Sequence, residues 1–240
     1  MIHALIQSLT EFIPVSSSLH LFLYSQKLTT ADYALMHLST SLVVCLYEIK
    51  TILRLIFFKN KHLSLNLLLI TLMTGFSLLL LKPILLAAKT ITITLSISIT
   101  ASFFLYFLFK KPLFLSFLKK KISIKEIFLI SFFQILGSFS GFSRLGATSL
   151  SFFLHQYSLK DSFVFSMILS IPLGIASTLY SYLEAPFPLS KIFYYTFFFS
   201  LIVYPLAKSF FSKKGFFPFF IYRLFFAFLI LLKVLLKIVV

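Results

Sequence analysis

The hydrophobic residues of this chain come in long blocks, separated by short connections that carry polar and basic residues. An α-helix needs roughly 20 apolar residues to cross a bilayer. Blocks of about that length lie at 33–49, 63–86, 90–109, 158–183, 190–208 and 217–239. The pattern predicts an all-α polytopic membrane protein with about six transmembrane helices.

Two further apolar segments, 1–26 and 122–156, are interrupted near their middles. A proline and three serines break the first at 14–18, and glycines and serines break the second at 137–146. Irregular backbone at membrane depth is tolerated only where protein or a water-filled cavity satisfies its polar groups. We therefore expect each segment to be a re-entrant helix-turn-helix hairpin, which returns to the side from which it entered.

The basic residues support this layout, because it places most of them on one side of the membrane. Cytoplasmic loops carry an excess of Lys and Arg, so the larger group is predicted to be cytoplasmic. The opposite side holds Lys27, Lys82, Lys89 and Lys191. The cytoplasmic group is Lys50, Arg54, Lys59, Lys61, Lys110, Lys111, Lys119, Lys120, Lys121, Lys125, Lys160, Lys208, Lys213 and Lys214.

In this layout the two hairpins enter from opposite sides, and each is followed by long spans. We therefore predict one integral membrane domain, residues 1–240, built from inverted-topology repeats at about 1–109 and 122–240. Inverted repeats with broken helices are a known way to build a binding site near the bilayer midplane.

Composition agrees with a membrane protein and excludes a soluble domain. The chain is 60% hydrophobic, its mean hydropathy is +1.04, and only 12% of its residues are charged. The net charge of +16 lies in the connections, so it indicates topology and not a nucleic-acid partner. The single Cys45 excludes a disulfide framework. We expect no cleaved signal peptide, since Glu11 and the break at 14–18 interrupt the first apolar segment.

Ionisable residues inside apolar segments are costly and therefore indicate function. In the first hairpin, Gln7 and Glu11 lie four residues apart, on one helical face. Ser16 or Ser17 can cap the next helix, on which Ser17 and His20 are neighbours. The spacing predicts that a carboxylate, a hydroxyl and an imidazole converge around one turn.

The second turn supplies complementary groups for an anion. Gly146 lets backbone N–H groups approach a ligand, and Ser143 and Thr148 add hydroxyl donors. A helix that begins near Gly146 would present its positive end to the anion, and Arg144 is suited to bidentate hydrogen bonding with phosphate oxygens. These turns together predict a phosphate-handling centre, in which Glu11 could bind a divalent cation, Mg²⁺ or Ca²⁺.

Other ionisable residues are assigned lesser roles. His37 lies early in a span and is a candidate for a supporting role in the same cavity. Glu48, Glu126 and Glu184 fall at the ends of blocks beside lysines, so we expect them to be solvated.

Two segments resemble the signatures of a known family, the bacterial undecaprenyl-pyrophosphate phosphatases of the bacitracin-resistance type. Residues 7–20, QSLTEFIPVSSSLH, resemble the first signature, and residues 141–148, GFSRLGAT, resemble the second. Shorter similarities occur at 35–38, around Phe165 and Pro172, and at 219–223. The order and spacing of these segments extend along nearly the whole chain.

The resemblance implies an undecaprenyl-diphosphatase that recycles the carrier lipid of peptidoglycan synthesis and contributes to bacitracin resistance. It also implies a divalent metal, a multi-pass position in the bacterial inner membrane, and a polyprenyl diphosphate substrate among membrane lipids. The oligomeric state is left open, and a homodimer is one of the alternatives. By position, the implied site residues are Glu11 as the essential acid with Gln7 beside it, Ser17 as nucleophile, His20 as acid/base, and Ser143, Arg144 and Thr148 as phosphate ligands. We also expect Gln7, Ser16 and Gly146 to contact the substrate.

Three positions depart from the family pattern: Leu19 and Ser140 stand where the family has Gly and Pro, and Leu145 where it has Ser. Whether Ser17 or an activated water attacks phosphorus is left open by the sequence. Two other functions are alternatives. A transporter or flippase of polyprenyl phosphate would share the inverted repeats. A type 2 phosphatidic-acid phosphatase would need a Lys-rich first signature, which is not found in this sequence.

Overall fold

The computed structural model describes residues 1–24, 28–57, 61–81, 84 and 122–235, and all regular structure in these ranges is α-helical. The helices are α1 (Ile2–Glu11), α2 (Ser17–Tyr24), α3 (Thr30–Phe57), α4 (Lys61–Leu80), α5 (Ile124–Leu136), α6 (Arg144–Leu154), α7 (Leu159–Glu184), α8 (Lys191–Lys214) and α9 (Phe217–Leu235).

Both interrupted segments form helical hairpins, as the sequence predicts. In the first, α1 ends at Glu11 and α2 begins at Ser17; in the second, α5 ends at Leu136 and α6 begins at Arg144. The helices α3, α4, α7, α8 and α9 occupy five of the six predicted blocks. The remaining predicted block, 90–109, lies outside the described residues.

Side-chain caps define where several helices start. Ser123 and Glu126 form a capping box at the start of α5, in which each side chain bonds the backbone N–H of the other. The Ser158 side chain accepts a hydrogen bond from the N–H of Asp161 and so starts α7. At the other end of a helix, α8 terminates at Gly215, whose φ of 63° is favourable only for glycine.

Three of the described helical stretches are long and apolar enough to cross a membrane: His62–Leu80, Leu159–Glu184 and Lys191–Lys214. A shorter apolar stretch covers Phe217–Ile230 in α9. These helices agree with a polytopic membrane protein.

The long helices α3 and α7 pack against each other at the centre of the bundle, and α8 packs against both. The first helix of each hairpin packs on a long helix from the other half of the chain: α1 on α8, and α5 on α4. The two halves are therefore interlocked, which brings both hairpin turns together. The inverted orientation of the halves stays a prediction.

The α3–α7 contact is close because a glycine lies at the crossing. A Cβ added at Gly174 would lie 2.2 Å from Ser41 Oγ and 3.5 Å from the carbonyl oxygen of His37. This crossing fixes the part of α3 that carries His37.

The prediction that Glu48 and Glu126 are solvated is wrong, whereas Glu184 is exposed as expected. Glu48 is only 3% exposed, because α3 continues past it to Phe57 and packs against α8. Its carboxylate accepts hydrogen bonds from the Tyr204 hydroxyl at 2.7 Å and from the Lys208 ammonium group. Glu126 is 6% exposed, because its side chain caps α5.

Candidate functional site

The first hairpin assembles three polar groups around the Glu11 carboxylate. Ser17, the first residue of α2, donates its hydroxyl to Glu11 Oε2 at 2.6 Å. Gln7 Nε2 donates to the same oxygen at 3.2 Å, one helical turn earlier on α1. Both contacts follow the spacing that the sequence predicted. Between the two helices, Ser16 takes a positive φ of 70°, so the chain reverses sharply enough to return Ser17 to Glu11.

The second hairpin contributes the positive charge that faces this carboxylate. Arg144 Nη2 donates to Glu11 Oε1 at 2.7 Å, which joins the two hairpins through a charge-assisted hydrogen bond. The Glu11 carboxylate is thus held by a hydroxyl on one oxygen and a guanidinium on the other.

The helix α6 begins at Arg144, two residues earlier than predicted from the sequence. Ser143 is the cap: its φ is 69°, and its Oγ accepts a hydrogen bond from the N–H of Gly146 at 3.2 Å. A capping side chain bonds to the N–H two or three residues into the helix, so α6 starts immediately after Ser143. The N–H of Gly146 is consequently already bonded to the protein.

The two turns touch each other directly. The N–H of Gly141 donates to Ser16 Oγ at 3.0 Å. A Cβ added at Gly146 would lie 3.0 Å from the Cβ of Pro14, so only glycine fits there without moving the first turn. Gly146 therefore serves the close packing of the hairpins.

A cavity of about 170 Å³ lies between the turns. Five of the predicted site residues line it: Glu11, Ser16, Ser17, Ser143 and Arg144. His37 of α3 and Met167 of α7 contribute to the wall, so the central pair of helices closes the cavity on one side.

Three predicted ligands lie outside the cavity lining of the described structure: Gln7, Gly146 and Thr148. Gln7 and Thr148 are each 1% exposed. Gln7 Oε1 and Thr148 Oγ1 have no hydrogen-bond partner within the described part of the chain. Gln7 is nevertheless in direct contact with the site through Glu11.

The imidazole of His20 does not converge on Glu11 and Ser17. Its Nδ1 lies 2.7 Å from the Ser16 carbonyl oxygen, and its Nε2 lies 2.8 Å from the Tyr222 hydroxyl. The ring also stacks on Phe226, with centroids 4.2 Å apart. Aromatic side chains of α9 therefore hold His20 away from the carboxylate. Sequence spacing within the hairpin could not reveal this contact.

A different imidazole, that of His37, lies next to the carboxylate. His37 Nδ1 is 3.6 Å from Glu11 Oε1 and 3.4 Å from Gln7 Nε2. From the sequence, His37 was a candidate only for a supporting role, because its position on a separate span did not relate it to the first hairpin.

The three departures from the family pattern leave these groups in place. Leu19 and Leu145 are buried, at 2% and 3% exposure, and Ser140 is half-buried. Leu19 adds buried apolar packing, whereas Leu145 is part of the cavity lining; neither removes one of the polar groups described above.

Comparison with known proteins places these residues in a family. A family model described as bacitracin resistance protein BacA matches residues 1–229. An undecaprenyl-diphosphatase of Campylobacter jejuni is 34% identical over 114 residues, which cover 44% of this chain and 43% of that protein. The chain thus spans less than half the length of this relative.

Two other relatives align over more of the chain. An undecaprenyl-diphosphatase of Thermotoga petrophila is 31% identical over 183 residues, 72% of this chain and 74% of its own length. One of Buchnera aphidicola is 29% identical over 192 residues, 75% of this chain and 72% of its own. Since the family model covers nearly the whole chain, this protein belongs to the bacitracin resistance protein BacA family.

Proposed function

We propose that this protein is an undecaprenyl-diphosphatase, which hydrolyses undecaprenyl diphosphate to undecaprenyl phosphate and phosphate. The observation that carries the proposal is the 2.6 Å hydrogen bond from the Ser17 hydroxyl to Glu11, beside an arginine from the opposite hairpin. A nucleophile next to a base, with a cation nearby, is the arrangement that phosphoryl transfer needs. The relatives above carry the name of this activity.

In the proposed reaction Ser17 Oγ attacks the terminal phosphorus, and Glu11 Oε2 accepts the hydroxyl proton. The new O–P bond forms as the bond from phosphorus to the bridging oxygen breaks, so undecaprenyl phosphate leaves. Water then hydrolyses the phosphoserine and releases phosphate. The hydrogen bond between Ser17 and Glu11 favours this route over direct attack by water, because the hydroxyl is already paired with its proton acceptor.

Arg144 holds the terminal phosphate in the proposed complex. In the structure its guanidinium is paired with Glu11. An incoming diphosphate offers more negative charge and more oxygen acceptors, so the guanidinium turns toward it and frees Glu11 to act as base. Ser16 and Ser143 line the same cavity and supply hydroxyl donors. The positive N-terminal end of α6 begins at Arg144 and favours the same anion.

The roles of His20, His37 and Thr148 in this proposal depend on where the structure places them. His20 needs to leave Tyr222 before its Nε2 can give a proton to the leaving oxygen. His37 is 3.6 Å from Glu11 and supports the carboxylate from α3. Thr148 reaches the phosphate only if α6 moves, since Thr148 lies outside the cavity lining.

The donor set fits a hard divalent cation that is shared with the substrate. The described residues contain no group of three His, Cys, Asp or Glu side chains that could hold a metal alone. Mg²⁺ is commonly bound by one or two carboxylates together with substrate phosphates and water. Glu11 would supply the carboxylate, and the buried Oε1 of Gln7 is an oxygen without a partner among the described residues. When bound, Mg²⁺ or Ca²⁺ would neutralise charge on the diphosphate.

The size of the cavity indicates that it receives only the head of the substrate. Pockets that bury a drug-sized ligand measure about 300–1,000 Å³, and this one is about 170 Å³. We infer that the polyprenyl tail lies along the apolar helices in the bilayer. We also infer a multi-pass protein of the bacterial inner membrane whose cavity opens outward, as the distribution of Lys and Arg predicts.

The test is phosphate release from undecaprenyl diphosphate by the purified protein in detergent, with Mg²⁺ or Ca²⁺ and then with EDTA. Glu11→Gln removes the base and should lower kcat about 10²–10⁴-fold. Arg144→Gln removes a donor to the transition state and should lower kcat about 10²–10³-fold. Arg54→Gln makes the same substitution at an exposed position of α3 and should leave kcat unchanged.

The result also separates the enzyme from a carrier of polyprenyl phosphate. A carrier would need Arg144 to bind the phosphate, but it would not need a base beside a nucleophile. Folded wild-type protein that releases no phosphate with either metal, yet moves labelled polyprenyl phosphate between the leaflets of vesicles, would replace the proposed function with transport.

A further inference from the structure

Arg223 of α9 is the most deeply buried charged side chain of the described structure, with 2% exposure. It lies in a largely apolar helix, FPFFIYRLFFAFLILLKVL, whose other charged residue is Lys233 near the end. A buried cation inside a membrane protein is costly unless hydrogen bonds satisfy it, and such residues usually serve a function. Arg223 is not part of the cavity lining.

The guanidinium of Arg223 binds the turn of the second hairpin. Nη1 donates to the Phe142 carbonyl oxygen at 2.9 Å, and Nη2 donates to the Gly141 carbonyl oxygen. Two successive carbonyls are thus held by the planar fork of one side chain. A lysine could not match this geometry, since its ammonium group is a single point of donation.

The held carbonyls belong to the part of the turn that is conformationally unusual. Gly141 has a φ of 97°, and Ser143 has a φ of 69°, which is unfavourable for a residue with a side chain. Such a conformation persists only where the surroundings impose it. The two bonds from Arg223 fix the peptide planes on either side of Phe142 and so impose it.

The same two bonds orient the groups that face the substrate. The C=O and N–H of a trans peptide point in opposite directions. The bond to the Phe142 oxygen therefore turns the N–H of Ser143 away from α9. Arg144, the next residue, reaches Glu11 from the end of this turn. A shift of either peptide plane would move Ser143 and Arg144 together.

The neighbouring residue on α9 contacts the other hairpin. The Tyr222 hydroxyl lies 2.8 Å from His20 Nε2 on α2, so consecutive residues of α9 bind one hairpin each. A single rigid helix thereby sets the distance between the two turns.

We propose that Arg223 is a positioning residue, which holds the Gly141–Phe142 turn so that Ser143 and Arg144 meet the phosphate of the substrate. Arg223 acts through the turn and does not touch the substrate. The inference rests on the proposed phosphatase function.

The experiment compares Arg223→Gln and Arg223→Lys with the wild type and with Lys213→Gln, which removes an exposed positive charge near the end of α8. The amount of folded protein is measured by gel filtration, and kcat and KM are expressed per folded molecule. We expect kcat to fall at least about 30-fold in Arg223→Gln and about tenfold in Arg223→Lys. Lys213→Gln should stay within about twofold of wild type.

A second readout does not depend on turnover. Inorganic pyrophosphate should raise the thermal midpoint of wild-type protein, and this protection should be lost in folded Arg223→Gln and reduced in Arg223→Lys. If wild type is protected by pyrophosphate but releases no phosphate, the proposed function fails while the positioning role is still tested.

Two results would overturn the proposal. One is a folded Arg223→Lys protein with the kcat, KM and pyrophosphate protection of wild type. The other is failure of both variants to fold, since Arg223 would then be required for folding and not for positioning.

Discussion

Substitution of Lys208 by methionine tests whether the buried pair between α3 and α8 stabilises the fold. Glu48 is 3% exposed, and its carboxylate accepts hydrogen bonds from Tyr204, Thr51 and Lys208. Lys208→Met removes the only cation that pairs with Glu48 among the described residues and leaves a charged carboxylate among apolar helices.

The expected loss follows from the burial of the two partners. Removal of one partner of a buried ion pair costs about 3–5 kcal/mol, because the remaining charge is left without compensation. The Lys208 side chain is 26% exposed, so water relieves part of the effect and about 3 kcal/mol is expected. The double variant Glu48→Gln/Lys208→Met keeps an acceptor for Tyr204 without a charge. Because no uncompensated charge is left, its loss should be only about 1 kcal/mol, the size of one hydrogen bond.

Thermal unfolding in detergent measures the difference. Cys45 is the only cysteine and is half-buried in α3, so a thiol-reactive dye reports the unfolding of that helix. About 3 kcal/mol should lower the midpoint by roughly 6–12 °C for a chain of this size. Lys213→Met, at an exposed position of α8, is the matched control. The reasoning is refuted if Lys208→Met unfolds at the wild-type temperature, or if the double variant is no more stable than the single one.

Two further predictions concern glycines at close contacts. Gly174→Ala places a Cβ 2.2 Å from Ser41 Oγ, so the overpacking should lower the free energy of unfolding by about 1–3 kcal/mol. The double variant Gly174→Ala/Ser41→Ala should recover most of this loss in thermal unfolding. A double variant as unstable as the single one would argue against this contact. Gly146→Ala places a Cβ 3.0 Å from the Pro14 Cβ and should lower kcat about tenfold by separating the turns. Gly75→Ala is the control, because a Cβ at Gly75 meets open space, and its kcat should equal that of wild type. Equal kcat in the two variants would contradict the role of Gly146.

The sequence predicted the two hairpins and the contact between Glu11 and Ser17 because these signals are local. Breaks at 14–18 and 137–146 interrupt otherwise apolar segments, and this pattern suffices to distinguish a hairpin from a full span. The spacing of Glu11 and Ser17 around a tight turn likewise suffices to bring a hydroxyl to a carboxylate. Confirmed features thus depend on residues a few positions apart.

The features that the sequence did not predict depend on residues far apart in the chain. His20 was expected beside Ser17, but its partner Tyr222 lies 202 positions away. Glu48 was expected to be solvated, but Lys208, 160 positions away, buries and pairs it. The pattern of hydrophobic residues shows which segments are helices. The packing of those helices against each other determines which groups a polar side chain contacts.

The most direct test of the central claim is the single-turnover rate of phosphate release from undecaprenyl diphosphate, measured with the wild type and with Ser17→Ala. Ser177→Ala, which makes the same change at an exposed position of α7, is the control. With Ser17 as the nucleophile paired to Glu11, Ser17→Ala should be slower by at least about 10³-fold, which corresponds to about 4 kcal/mol of lost transition-state stabilisation. Wild-type protein that releases no phosphate, or a folded Ser17→Ala protein within about tenfold of wild type, would contradict the account.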